Sequence, residues 1–137
     1  MSKMTKPSAW QKFNGALPPD SPGVYLLARF TSHPPRVASH LQREVIYIGQ
    51  TLRTMSIRLR EFDRSAFKKL NGHSGGWNFS EIFMHSKKGL CPKWLHVSFM
   101  ELGNSTDEET TYVKYLERKM IWEYARKWKQ TPQCNKK

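Results

Sequence analysis

The spacing of apolar residues changes character several times along this chain. "GVYLLARF" (Gly23 to Phe30) and "EVIYIG" (Glu44 to Gly49) are short apolar and aromatic runs, which predicts two strands. Proline-rich "LPPDSPG" delivers the chain into the first of them. The intervening "TSHPPRVASHLQR" is too rich in Pro and Ser for an internal strand, so the pair reads as an antiparallel hairpin with a long connection. From about Thr54 the period becomes helical. Met55, Leu59, Phe62, Ala66 and Leu70 recur at steps of four and three and form one apolar stripe, stopped by "NGHSGG" with Gly72 as a C-terminal cap. "WNFSEIFMHSKKGLCPK" fits no period well, and part of it reads as a short helix. "WLHVSFMEL" alternates, with Leu95, Val97 and Phe99 on one face and His96, Ser98 and Met100 on the other, as a half-buried third strand should. "GNSTDEET" then places acids at the start of a long helix running to about Trp128. The predicted order is strand, strand, helix, strand, helix.

Composition adds a partner class. The 137 residues are 38% hydrophobic and 12% aromatic, enough for one folded domain with a single core. Lys and Arg number 23 against 11 Asp and Glu, a net charge of +12, which attracts polyanions. Nucleic acid is the leading candidate; a ribosome-associated or merely soluble basic protein is the plainer one. No apolar run approaches the ~20 residues of a membrane helix, and "MSKMTKPSAW" has no apolar signal core, so no membrane partner is expected. Cys91 and Cys134 form no C-x-x-C pair, and His33, His40, His73, His85 and His96 are scattered singly, without structural-zinc spacing. Reduced thiols in a cytoplasmic setting are the default.

Three features stand out from the background. Val113, Met120, Ile121, Tyr124 and Trp128 fall within about 60° of Glu117 on the last helix, so this carboxylate sits inside an apolar stripe, where an unpaired charge is costly. It is either a core acid meeting Arg58 or a ligand for a metal or polar site. Arg58 borders the Met55–Phe62 stripe, accompanied by Arg53, Arg60, Arg64, Lys68 and Lys69, with only Glu61 and Asp63 to offset them. That run is either a solvated basic face or a track for phosphates with Arg58 aimed at one of them. Tyr25 alternates with Leu27 and Tyr47 with Val45, so both tyrosines can share one face, as packing or as chemistry.

"GVY" (Gly23, Val24, Tyr25) with "YIG" (Tyr47, Ile48, Gly49) resembles the signature of the GIY-YIG nucleases. Arg58 in "IRLREF", Glu117 in "KYLERKMIWEY" and "PQCN" ending at Asn135 are similar to that family's later motifs, in the same order, over nearly the whole chain from Gly23. The resemblance implies an α/β (α+β) fold, a small three-stranded, mainly antiparallel sheet flanked by helices. It implies a single domain over 23–137 with an insertion around 71–93, preceded by an N-terminal extension, 1–22. It implies a divalent-metal-dependent endonuclease that hydrolyses DNA phosphodiesters. Tyr25 would then be the general base or relay that activates water, and Tyr47 would hydrogen-bond the water or the phosphate. Arg58 would stabilise the transition state, Glu117 would hold one Mg2+ or Mn2+, and Asn135 would brace the site or the phosphate. Such chemistry is sensible, because a phenol is a useful base only where positive charge lowers it, and Mg2+ commonly keeps one carboxylate and several waters.

The chain departs from the pattern at Gln50 and Phe62, where many members carry a lysine or histidine that assists the tyrosine. His73 in "GHSGG" is the candidate substitute; a plain helix-stop loop is the other reading. His33, Arg36, His40 and Arg43 lie in or beside the long loop between the tyrosine motifs and are candidate DNA contacts or ordinary surface. A catalytically inactive basic nucleic-acid-binding module on the same scaffold is the alternative function. A P-D…E-x-K nuclease built from "PPD" (Pro18–Asp20) and "ERK" (Glu117–Lys119) needs its E-x-K on a strand, whereas that segment reads as helix. With one small module, recognition of a long specific site would require a homodimer or the 71–93 insertion.

Overall fold

A computed structural model describes residues 4–68, 70, 72–84, 89–103 and 107–135. It is a mixed α+β fold. Strands β1 (Gln11–Lys12), β2 (Gly23–Arg29), β3 (Val45–Thr51) and β4 (Leu95–Glu101) form one antiparallel sheet in the order β1-β4-β2-β3. Helices α1 (Met55–Lys68) and α2 (Ser74–Phe83) follow β3, α3 (Asp107–Trp128) follows β4, and a 3-10 turn spans Gln133–Asn135.

The sheet has four strands where three were expected. The added strand comes from the segment read as an N-terminal extension, which runs along the free edge of β4. Thr5, Ser8 and Phe13 each donate a backbone N–H to Glu101, Phe99 and Leu95, at 2.8–2.9 Å. The polar pair Gln11–Lys12 has no strand pattern of its own; its pairing with Val97 and His96 makes it a strand. The short helix read in "WNFSEIFMHSKKGLCPK" is present as α2, which begins at Ser74, three residues before that segment.

Helices α1 and α2 cover one face of the sheet, burying Tyr25, Leu27, Tyr47, Met55, Leu59, Phe62, Ala66, Phe79, Leu95, Val97 and Phe99 in one cluster. The other face packs Val24, Leu26, Ile48 and Met100 against Trp10 and against Val113, Met120 and Tyr124 of α3. Strand β4 is therefore buried on both faces, not half buried, and its polar residues find partners. Ser98 Oγ donates to the Ser8 carbonyl at 2.6 Å, and His96 Nδ1 lies 2.9 Å from the Trp94 carbonyl. Each fully buried large apolar side chain in these layers contributes roughly 1.5–3 kcal/mol.

The two tyrosines do share a face, but Val45 does not join Tyr47 there. Leu27 pairs with Tyr47 while Ala28 pairs with Val45, so Ile46 is an extra residue in β3. This bulge shifts the alternation by one and turns Val45 to the α3 side. Thr54 starts α1 by accepting the Ile57 N–H at 3.3 Å. The stripe ends at Ala66: Leu70 lies beyond the helix and is half exposed.

The loop between β2 and β3 is tied down by α3. Tyr124 Oη donates to the Arg43 carbonyl and Trp128 Nε1 to the Leu41 carbonyl, each at 2.9 Å. His40 Nε2 lies 2.8 Å from a Glu123 carboxylate oxygen, and Trp10 Nε1 donates to Gln42 Oε1 at 2.7 Å.

Candidate active site

Tyr25 stands opposite Gly49, and Tyr47 opposite Leu27, so the rings sit diagonally on the α1/α2 face with centroids 6.0 Å apart. Two glycines leave the space they occupy. A Cβ on Gly49 would fall 2.6 Å from Tyr25 Cζ and 2.7 Å from its hydroxyl. A Cβ on Gly75, in the first turn of α2, would fall 2.5 Å from Tyr47 Cε1 and Cζ. Glycine at these positions lets backbone approach ring directly.

His73 is the N-cap of α2, in extended backbone conformation, and its Nδ1 accepts the N–H of Gly76 at 3.1 Å. Its Nε2 lies 2.7 Å from the Tyr25 hydroxyl. A backbone N–H can only donate, so Nδ1 must be the bare nitrogen and the proton of the neutral ring sits on Nε2. The ring stays neutral because burial, seconded by the Arg58 guanidinium and only partly opposed by Glu61, pushes its pKa down to about 3. His73 therefore donates to the Tyr25 oxygen. The ring of Phe62 stands edge-on to His73 at 5.3 Å, so Phe62 packs against the imidazole.

Arg58 Nη1 donates to Glu61 Oε1 at 2.9 Å and to the Gly72 carbonyl at 3.0 Å. Gly72 serves as this acceptor, not as a helix cap. Burial lowers the guanidinium pKa, but Glu61 and the two tyrosines outweigh that and raise it overall. Partial burial opposes ionisation of Glu61, yet hydrogen bonds from Arg53 and Arg58 hold it below the usual carboxylate range. Burial raises the Tyr25 phenol well above 10.0, with Tyr47 adding to the rise and Arg58 opposing it. Burial likewise pushes Tyr47 up to about 12, against Arg58 and with Glu117.

Glu117 comes from α3. Its carboxylate acts electrostatically on Tyr47, and Arg118 and Arg58 act on it, so it belongs to the same cluster of charges. Burial raises its pKa, and neither arginine reverses the shift. Among the described residues it forms no hydrogen bond and no ion pair, Arg58 being engaged by Glu61. A half-buried carboxylate in this position suits a hard divalent cation that keeps most of its waters; no group of three or more acidic, His or Cys ligands accompanies it among the described residues.

Asn135 does not point at the tyrosines. Its Oδ1 accepts the Ile48 N–H at 2.8 Å and its Nδ2 donates to the Ile48 carbonyl at 2.9 Å, closing the outer edge of β3 in the manner of another strand. Asn78 Nδ2 secures that turn through the Cys134 carbonyl at 2.9 Å.

The expected DNA contacts are less focused. Arg60, Arg64 and Lys68 are exposed on α1, Lys68 lying 3.8 Å from Asp63. Arg53 is exposed but paired with Glu61 at 2.7 Å. Arg36 and Arg43 are exposed on the β2–β3 loop, with Arg43 over the Trp128 ring. Lys69 lies outside the described residues. Gln50 faces the α3 side opposite Val24, and its buried Oε1 has no hydrogen-bond partner among the described residues. Glu61, Gly75 and Asn78 were not foreseen: Glu61 read only as an offset to cations, and the other two fell in a stretch without periodicity.

No family model, no curated protein and no solved structure matches this chain.

Proposed function

We propose that this protein is a GIY-YIG-type endonuclease that hydrolyses DNA phosphodiester bonds with a divalent metal. The observation that carries the reading is one buried cluster in which Tyr25, Tyr47, Arg58 and His73 touch or act on one another, with Glu117 acting on it from α3. Two phenols, a guanidinium and a carboxylate are what water activation and phosphoryl charge stabilisation require.

Tyr25 is the base. Its phenol is fully buried and donates to the Tyr47 oxygen, so its proton passes to Tyr47 as the slightly exposed Tyr47 hydroxyl releases its own to solvent, and the resulting Tyr25 phenolate is favoured by Arg58 and by the His73 Nε2–H. The phenolate oxygen takes a proton from water as the water oxygen bonds to phosphorus. The bond from phosphorus to the leaving sugar oxygen breaks with its electron pair, and that oxygen takes a proton from solvent. Arg58, held by Glu61 and the Gly72 carbonyl, faces the charge that grows on the phosphoryl oxygens. Glu117 would hold one Mg2+ or Mn2+, which when bound supplies positive charge that polarises the phosphate and draws down the buried phenols. A relay from Tyr25 into His73 is closed, because Nε2 already carries a proton and Nδ1 caps α2.

Incubation with supercoiled plasmid and Mg2+ tests the reading: nicked and linear products are expected, and Glu117→Ala should end cutting while DNA binding survives. Glu117→Ala protein that cuts as fast as wild type would sink it. Binding without product under any divalent metal would assign the chain to the inactive-module alternative.

A further inference from the structure

Helix α3 has a second face that the proposed chemistry does not use. Tyr115, Lys119, Trp122 and Arg126 recur at steps of four, three and four, which places them on one stripe. Val113, Glu117, Met120 and Tyr124 form the opposite stripe, turned toward the sheet. The outer stripe is open: Tyr115 is 57% and Trp122 56% exposed, whereas Val113, Met120 and Tyr124 are buried. Arg126 stacks its guanidinium 4.9 Å from the Trp122 ring centroid, and Tyr112 packs beside Tyr115 at 5.9 Å. Arg118 is exposed beside the stripe. The nearest acid, Glu123, is engaged by His40, and the acids of the first helical turn, Asp107, Glu108 and Glu109, lie at the far end.

From this arrangement we infer that the outer face of α3 binds single-stranded nucleic acid, its bases stacking on Tyr115 and Trp122 and its phosphates lying along Lys119 and Arg126. The charge selects a polyanion, and the two cations of the stripe would repel the same face of a second copy. The aromatics select unpaired bases, because duplex bases have no free face to offer. The stripe spans 11 residue steps from Tyr115 to Arg126, about 16 Å of helix, enough for a short run of nucleotides. It points away from Glu117, so it would hold a different stretch of nucleic acid from the one at the tyrosines.

Fluorescence anisotropy of a labelled short oligothymidylate, in EDTA so that nothing is cut, tests this surface apart from the proposed chemistry. Tyr115→Ala with Trp122→Ala should weaken binding at least about five-fold, with little change for a blunt duplex of mixed sequence. Trp122→Phe should restore most of the loss in a Tyr115 background. Both side chains are exposed, so the unfolding midpoint should stay put. Wild-type affinity in the folded double variant would overturn the proposal, leaving an acidic protein as the partner to seek. Equal losses for oligothymidylate and duplex would overturn the assignment to unpaired bases.

Discussion

His73 Nε2 lies 2.7 Å from the Tyr25 hydroxyl while His73 Nδ1 caps helix α2, so one imidazole ties the start of a helix to β2, an interior strand of the sheet. The cap fixes the tautomer, and the tautomer fixes the direction of the hydrogen bond to the phenol.

The same burial makes His73 a source of acid lability. Its folded pKa is about 3 against an ordinary 6.5, so between those values the unfolded chain binds a proton that the folded ring refuses. Stability is fully present above about pH 6.5 and falls as pH drops toward 3, by at most about 1.4 kcal/mol per pH unit. His73→Asn keeps a capping side chain without a titrating group. Urea unfolding at pH 7 and pH 4.5 should show a smaller acid loss in the variant; identical losses would mean that His73 does not carry the effect.

Glu117 has the opposite sign. Its folded pKa lies above 4.5, so stability falls as pH rises from 4.5 through the raised value, and the ionised carboxylate is a burden at neutral pH. Glu117→Gln should raise the thermal midpoint in EDTA by a few degrees, on the order of 1–4 °C. Mg2+ should raise the midpoint of wild type but not of the variant. Equal Mg2+ responses in both proteins would place the ion elsewhere.

Asn135→Ala should loosen β3 locally. It removes both side-chain hydrogen bonds to Ile48 and leaves an edge amide unpaired, at roughly 1–3 kcal/mol. Hydrogen exchange at the Ile48 amide should accelerate markedly while the amides of β2 stay protected. Unchanged exchange at Ile48 would show that the asparagine is dispensable there.

What the sequence revealed followed from how local each signal is. Tyr25, Tyr47 and Gly49 sit in short strand patterns, and Glu117 announced itself by interrupting a long apolar stripe, so these residues were legible. The edge strand at Gln11–Lys12 was not, because only its partner β4 makes it a strand. The start of helix α2 was obscured by Gly75 and Gly76, poor helix formers that are present because Tyr47 and Ser65 lie where their side chains would go. The Ile46 bulge breaks no residue preference and shows only in pairing register. The role of Glu61 depends on a side-chain bond between turns of one helix and on a loop carbonyl fourteen residues from Arg58, neither of which periodicity reports.

The clasp of Asn135 on Ile48 spans 87 positions, and Tyr25 meets His73 across 48. Loop-closure entropy must be met before contacts of such reach return anything, so this topology belongs among the slower-folding small domains. It also makes the cluster all-or-none. A chain that has formed only its β2–β3 hairpin and α1 has both tyrosines and the arginine, but neither the histidine donor nor the carboxylate. If the proposed chemistry holds, a half-folded molecule of this protein is harmless to nucleic acid.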